Sequence, residues 1–173
     1  MRKIDYQALT QELIKKHNCH TIILYGSRAD NTDNAESDID ILCFRESCEK
    51  YQDACFWQDL YLDTWIYPDS DIEHLEEFLR VLDGKILFEE NNFGSKLLDE
   101  VKHLSQIGPQ KMSFEEIKNL RLWSDKMLNR SRRNDVEGNY RKIWLAHYLL
   151  IFYFDVRHIW FLGTKKALKW LRE

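Results

Sequence analysis

The chain has 173 residues, 44% of them apolar, which is enough for one medium domain or two small packed units around a real core. No apolar run approaches the roughly 20 residues of a membrane span, and the opening Met1-Arg2-Lys3-Ile4-Asp5 lacks the apolar stretch of a signal peptide, so a cytoplasmic location is expected. The net charge of −4 hides a split: residues 1–104 carry 11 Lys and Arg against 22 Asp and Glu, whereas residues 105–173 carry 14 against 7, an acidic part suited to divalent metal and a basic part suited to an anion.

In chain order, Tyr6, Leu9, Leu13 and Ile14 share one helical stripe and predict an amphipathic helix over residues 5–17. Thr21-Ile22-Ile23-Leu24-Tyr25 is a β-branched apolar run that stops at Gly26, a buried strand followed by a tight turn. Residues 28–37 are polar and turn-rich, a loop or a loop with one helical turn. Asp38-Ile39-Asp40-Ile41-Leu42-Cys43-Phe44 alternates and then becomes wholly apolar, as a strand does on entering a core. Residues 59–67 form a third strand candidate closed by Pro68, and Ser70 with Glu73 makes a capping box for a helix striped by Ile72, Leu75, Phe78, Leu79 and Leu82. Gly84 ends it, Lys85-Ile86-Leu87-Phe88 is a further short strand, and residues 95–104 return to helix.

Composition shifts at Gly108-Pro109, so the expected domains are 1–108 and 109–173. Ser113 and Glu116 form a second capping box for a helix running to about Arg133. Residues 140–161 are apolar or aromatic nearly throughout, which predicts a helix buried on most sides, capped by Gly163, with a short last helix from Thr164. Cys19, Cys43, Cys48 and Cys55 match no zinc spacing and read as reduced thiols.

The chemistry concentrates in Leu24-Tyr25-Gly26-Ser27-Arg28, ten residues counted from Arg28 to Ser37, and Asp38-Ile39-Asp40. Residues two apart on a strand project from one face, so Asp38 and Asp40 present adjacent carboxylates that repel unless a cation sits between them. Hard oxygen ligands of this kind, with positions left for water and phosphate, suit Mg²⁺. Gly26 lets a backbone amide approach a phosphate, and Ser27 offers a hydroxyl to the same group. With Ser37 opening the Ser-Asp-x-Asp run, these residues form one candidate site for a nucleoside triphosphate and its metal. Arg28 stands where it reaches the triphosphate or stays on the loop surface.

Over residues 20–67 this pattern resembles the signature of the DNA polymerase β-type nucleotidyltransferase superfamily, particularly its minimal and antibiotic-modifying bacterial members. The resemblance implies an α+β fold, a small mixed β-sheet with helices on one face followed by a C-terminal helical bundle. It also implies two Mg²⁺ ions and transfer of a nucleoside monophosphate, AMP in this reading, from an NTP to a hydroxyl with release of pyrophosphate. The family's third carboxylate, from a following strand, maps to Asp63, with Asp59 nearer the strand's start as the alternative. Asp38, Asp40 and Asp63 are then the expected catalytic and metal-binding residues.

The helices after Gly138 resemble the family's C-terminal bundle, and there Tyr140, Arg141 and Lys165 are candidate nucleotide or acceptor contacts. Arg141 and His147 have the spacing of the HEPN ribonucleases, which are often genetic partners of minimal nucleotidyltransferases, but six helical steps of roughly 100° leave the two side chains about 120° apart. An antitoxin-like protein that binds or adenylylates a HEPN-type toxin is therefore the second reading. The acceptor is a small molecule or a protein, no stable nucleic-acid partner is expected, and a homodimer is admissible.

Overall fold

The computed structural model describes residues 4–172; Met1-Arg2-Lys3, the charged start noted above, and Glu173 lie outside the described residues. Two compact units emerge, Met1–Gln106 and Ile107–Glu173. No helix among the described residues is long and apolar enough to cross a membrane, and all four cysteines are free thiols.

In the first unit, helix α1 (Tyr6–His17) begins where the Asp5 carboxylate accepts from Ala8 N at 3.0 Å and ends at Asn18 in the left-handed region. Five strands follow: β1 (Thr21–Tyr25), β2 (Ile39–Arg45), β3 (Tyr51–Trp57), β4 (Leu60–Pro68) and β5 (Lys85–Glu89). Their order across the sheet is β3-β4-β2-β1-β5. The β2–β4 pair is parallel and the others antiparallel, which makes the sheet mixed, as expected.

Alternation gives the sheet two different faces. On one, Ile22, Leu24, Ile39, Ile41, Cys43, Leu62 and Ile66 join Leu9 and Leu13 of α1 in a continuous core, each large side chain contributing roughly 1.5–3 kcal/mol by leaving water. On the other, Phe44 and Tyr67 meet Phe78 and Phe93 with ring centroids 5.1 to 6.0 Å apart. That second face is thus closed by aromatic rings at one end. Helix α2 (Phe93–Ile107) completes the unit and buries Gly94, Leu97 and Val101.

Several expectations need correction. Strand β3 escaped the sequence reading altogether. Ser70 and Glu73 form no capping box: Asp69–Glu73 and Leu75–Val81 are 3-10 stretches without a side-chain cap, interrupted at His74. Pro68 delivers this segment in extended conformation, and Glu73 and Glu77 place like charges at an i,i+4 spacing that an α-helix would bring together.

The second unit opens as the sequence predicts. Helix α3 (Phe114–Ser131) starts at Ser113 with both arms of the capping box formed, Glu116 N donating to Ser113 Oγ at 3.2 Å and Ser113 N to Glu116 Oε2 at 2.7 Å. Helix α4 spans Val136–Asp155 rather than 140–161, because Asp135 caps it early, accepting from Gly138 N at 2.7 Å, and the chain turns at His158 with φ 60°. Gly163 does not end α4 but serves as the N-cap of α5 (Thr164–Trp170).

Nor is α4 buried on most sides: only Gly138, Leu145 and Phe154 are buried, while Ile143 is 77% and Tyr140 68% exposed. Helix α3 covers one stripe of it, and Trp170 of α5 meets Tyr153 and Phe154 near its end at centroid distances of 6.1 and 5.3 Å. Trp123 of α3 meets Trp144, Tyr148 and Phe152, four residues apart along α4, at centroid distances of 5.4, 6.0 and 5.5 Å.

Candidate functional site

Register decides which predicted residues meet. Asp40 of β2 lies opposite Asp63 of β4 in the parallel pair, and Tyr25 of β1 lies opposite Asp40 in the antiparallel pair. With neighbouring strands about 4.8 Å apart, Tyr25, Asp40 and Asp63 form one row on the face whose far end is closed by Phe44 and Tyr67. Asp38 immediately precedes β2 and is exposed, two residues from Asp40 at the open mouth of the row. Asp59 sits in the β3–β4 turn with φ 68° instead of on the strand, away from this register.

Gly26 is fitted against this row. Its φ is +70°, and a Cβ added there would come within 3.1 Å of the Asp40 carboxyl carbon and closer still to the carboxylate oxygen. Only glycine accepts both the left-handed backbone and that approach. Asp63 is held from the edge strand, Gln52 Nε2 donating to its Oδ1 at 2.8 Å. Sequence reasoning missed Gln52 together with β3; its signal was the register Gln52↔Trp65, legible only once the hairpin is drawn.

Arg28 spends its guanidinium inside the loop. Nε donates to Ser37 O at 3.1 Å and Asp38 O at 2.9 Å, Nη1 donates to Asp33 Oδ2 at 3.1 Å, and Nη2 also donates to Ser37 O. The residue is 9% exposed. Instead of extending toward a ligand, it braces residues 33–38 and fixes the backbone from which Asp38 projects. Ser37 is tied into the same loop, its hydroxyl accepting from Asn34 N at 2.9 Å. Ser27 contributes its carbonyl to Thr32 N at 2.9 Å and lies half-buried in the turn Gly26–Arg28.

The row is electrostatically loaded. The Tyr25 phenol is pushed up to about 12, mainly by burial, with Asp40 and Asp63 pushing the same way and Arg80 opposing. Tyr25 is therefore neutral at physiological pH and presents a hydrogen-bonding hydroxyl, not a third negative charge. Among the described residues no three His, Cys, Asp or Glu side chains converge as a ready metal cluster. Two facing carboxylates with a third at the mouth nevertheless match what Mg²⁺ takes from protein when the remaining positions go to water and phosphate.

The other candidates belong to the second unit. Tyr140 and Lys165 are exposed, and Arg141 is engaged by Glu137, with Nε and Nη2 donating to Glu137 Oε1 at 2.9 and 2.7 Å. A 300 Å³ cavity in that unit is lined by Lys111, Met112, Ile117, Asp155, Val156, Arg157 and His158, and contains none of the predicted site residues.

The family model described as polymerase beta, nucleotidyltransferase matches residues 7–92, which include the row, the Arg28 loop and all five strands. No curated protein matches the chain significantly. Among solved structures, a nucleotidyltransferase-like protein from Exiguobacterium sibiricum is similar at 16% identity and a TM-score of 0.44, over 83% of this chain and 52% of its own, so this chain spans about half its length. A toxin–antitoxin structure with AMP-PNP is similar at 15% identity and a TM-score of 0.41, over 72% of this chain and 99% of its own. A mutant of the toxin–antitoxin MntA–HpeT is similar at 14% identity and a TM-score of 0.42, with the same coverage. At these scores the structural likenesses assign no role to any residue of this chain.

Proposed function

Since the chain belongs to the DNA polymerase β-type nucleotidyltransferase superfamily and is a nucleotidyltransferase, we propose that it transfers a nucleoside monophosphate, AMP in our reading, from an NTP to a hydroxyl on a small molecule or a protein. The observation that carries the reading is the parallel register Asp40↔Asp63, with Gly26 pressed against the first carboxylate and Asp38 at the mouth. Asp38, Asp40 and Asp63 would hold Mg²⁺, two ions in our reading. Bound there, the metal would supply Lewis-acid stabilisation of charge at the attacking and leaving oxygens.

This chain's own residues do the rest. Asp63, steadied by Gln52, would accept the proton of the acceptor hydroxyl as its oxygen bonds to the α-phosphorus, while the bond from that phosphorus to the bridging oxygen breaks and pyrophosphate leaves. Gly26 and Ser27 lie where a phosphate can approach the backbone, and the neutral Tyr25 borders the row without adding charge. Arg28 keeps Asp38 in place through the backbone. Preorganisation of this kind supplies most of the rate in phosphoryl-type transfers.

The test is release of pyrophosphate from labelled ATP, GTP, CTP and UTP with Mg²⁺ and a panel of acceptors. Asp40→Ala abolishes release without unfolding the chain, and Asp63→Asn removes turnover while largely sparing triphosphate binding. Activity that survives both changes rejects the site. The antitoxin-like reading differs in its acceptor, a hydroxyl of a HEPN-type protein. Exposed apolar residues on α4, Val136 at 88%, Ile143 at 77% and Tyr140 at 68%, suit protein contact and favour keeping it. Mass spectrometry of a candidate partner, read for one added nucleoside monophosphate, decides between the two acceptors.

A further inference from the structure

We infer that Arg80, which neither the sequence pattern nor the family match singles out, is the anchor for the phosphate tail of the nucleotide. Its guanidinium carbon lies 5.4 Å from the ring centre of Tyr25 and 5.5 Å from those of Trp65 and Tyr67. Tyr25 belongs to the carboxylate row, Trp65 is two residues along β4 from Asp63 on the same face, and Tyr67 is two further. The guanidinium is thus seated between the open row and the closed aromatic end, within cation–π reach of three rings.

Its hydrogen bonding is incomplete. Nη2 donates to the Tyr67 hydroxyl at 2.8 Å, whereas Nε is buried with no hydrogen-bond partner. An arginine carries five N–H donors, and a buried donor left unmade costs free energy that a purely structural arginine has no reason to bear. The rings that hold it attract the cation but accept no strong hydrogen bond from Nε. With Nε enclosed, the donors that can face a ligand are those of the Nη groups, whose fork is the matching shape for a polydentate oxyanion. A triphosphate whose α-phosphorus lies over Asp40 and Asp63 carries its β and γ phosphates within a few ångströms of the row, which supplies that anion. The inference rests on the proposed nucleotidyl transfer and adds to it the residue that holds the leaving pyrophosphate.

The experiment is calorimetric titration of the full chain with inorganic tripolyphosphate and Mg²⁺, a probe free of base and sugar, for wild type, Arg80→Gln, Arg80→Lys and Asp40→Asn, with near-ultraviolet circular dichroism establishing that each is folded. Arg80→Gln should weaken binding roughly tenfold to a hundredfold, the size of a charge-assisted hydrogen bond. Arg80→Lys, which keeps the charge and loses the fork, should recover part of it. Binding should also depend less on salt in Arg80→Gln than in wild type. A folded Arg80→Gln that binds tripolyphosphate as wild type does overturns the anchor, even if its melting temperature falls. Loss in Asp40→Asn with none in Arg80→Gln overturns the anchor and leaves the carboxylate site standing, whereas no binding by wild type overturns both.

Discussion

Phe44 and Asp40 lie on the same strand and the same face, four residues apart, and their surroundings are opposites. Around Phe44, which is 0% exposed, Tyr67, Phe78 and Phe93 close a dry aromatic cluster. Around Asp40, the same β2–β4 pair sets Asp63 alongside and leaves the face partly open. One continuous parallel register, from Ile39↔Leu62 to Arg45↔Pro68, makes both ends. The difference teaches that packing stability is concentrated where the strands enter the core, and that this core holds two like charges together where they emerge.

The largest effect should therefore separate the ends by stability. Phe44→Ala should cost about 3–5 kcal/mol, read by urea unfolding, with turnover falling only as the folded fraction falls. Asp40→Asn should stay within about 1 kcal/mol of wild type and lose turnover while folded. Equal destabilisation by the two would show that the row belongs to the core and would break the comparison.

Gly26→Ala should act on both ends of the argument. The left-handed backbone and the approach to Asp40 predict a loss of about 1–3 kcal/mol, together with a drop in pyrophosphate release per folded molecule of at least about tenfold, since the carboxylate must move. A stability loss with unchanged turnover per folded molecule would mean that the close approach has no part in placing Asp40. Next in size is Arg28→Ala, which frees two carbonyls and Asp33 and should cost about 2 kcal/mol. It should also expose residues 29–37 to limited proteolysis and lower turnover through Asp38. Unchanged proteolysis would show that the loop is held by its own turns.

The placement of the carboxylates was legible because it is local: Gly26 and Ser27 follow directly on β1, Asp38 and Asp40 flank the first residue of β2, and Asp63 follows by alternation on β4. What was not legible depends on partners far along the chain. Strand β3 alternates polar and apolar only weakly, and the turn after it, Gln58-Asp59 with φ 49° and 68°, lacks the Asn-Gly signature that advertises a hairpin. The stripe from Ile72 to Leu82 fits an α-helix by period, yet like charges and the Pro68 entry leave two 3-10 stretches. Exposure along α4 is set by how much its neighbours α3 and α5 cover, which composition does not state. The bracing of the loop by Arg28 was not legible because its acceptors, mostly main-chain carbonyls, are invisible in a sequence.

The smallest effect lies under the sheet's edge and leaves the row alone. His17 is buried, with Nδ1 3.0 Å from the Tyr51 hydroxyl and Nε2 3.0 Å from Asp53 Oδ2. Burial holds its pKa below the ordinary 6.5, although Asp53 pulls the other way. The folded state therefore binds that proton less readily than the unfolded chain does. Its contribution is complete above pH 6.5 and is lost as pH falls through the lower folded value. Asp53, depressed below 3.8 chiefly by the Lys16 hydrogen bond, keeps its contribution down to a more acid range, so the two windows separate. Urea midpoints should decline gently as pH drops below 6.5, and His17→Gln should flatten that decline while leaving the steeper acid loss in place. Were the decline unchanged in His17→Gln, the buried imidazole would not be its source, and another titrating group, such as His20 beside Asp69, would carry it.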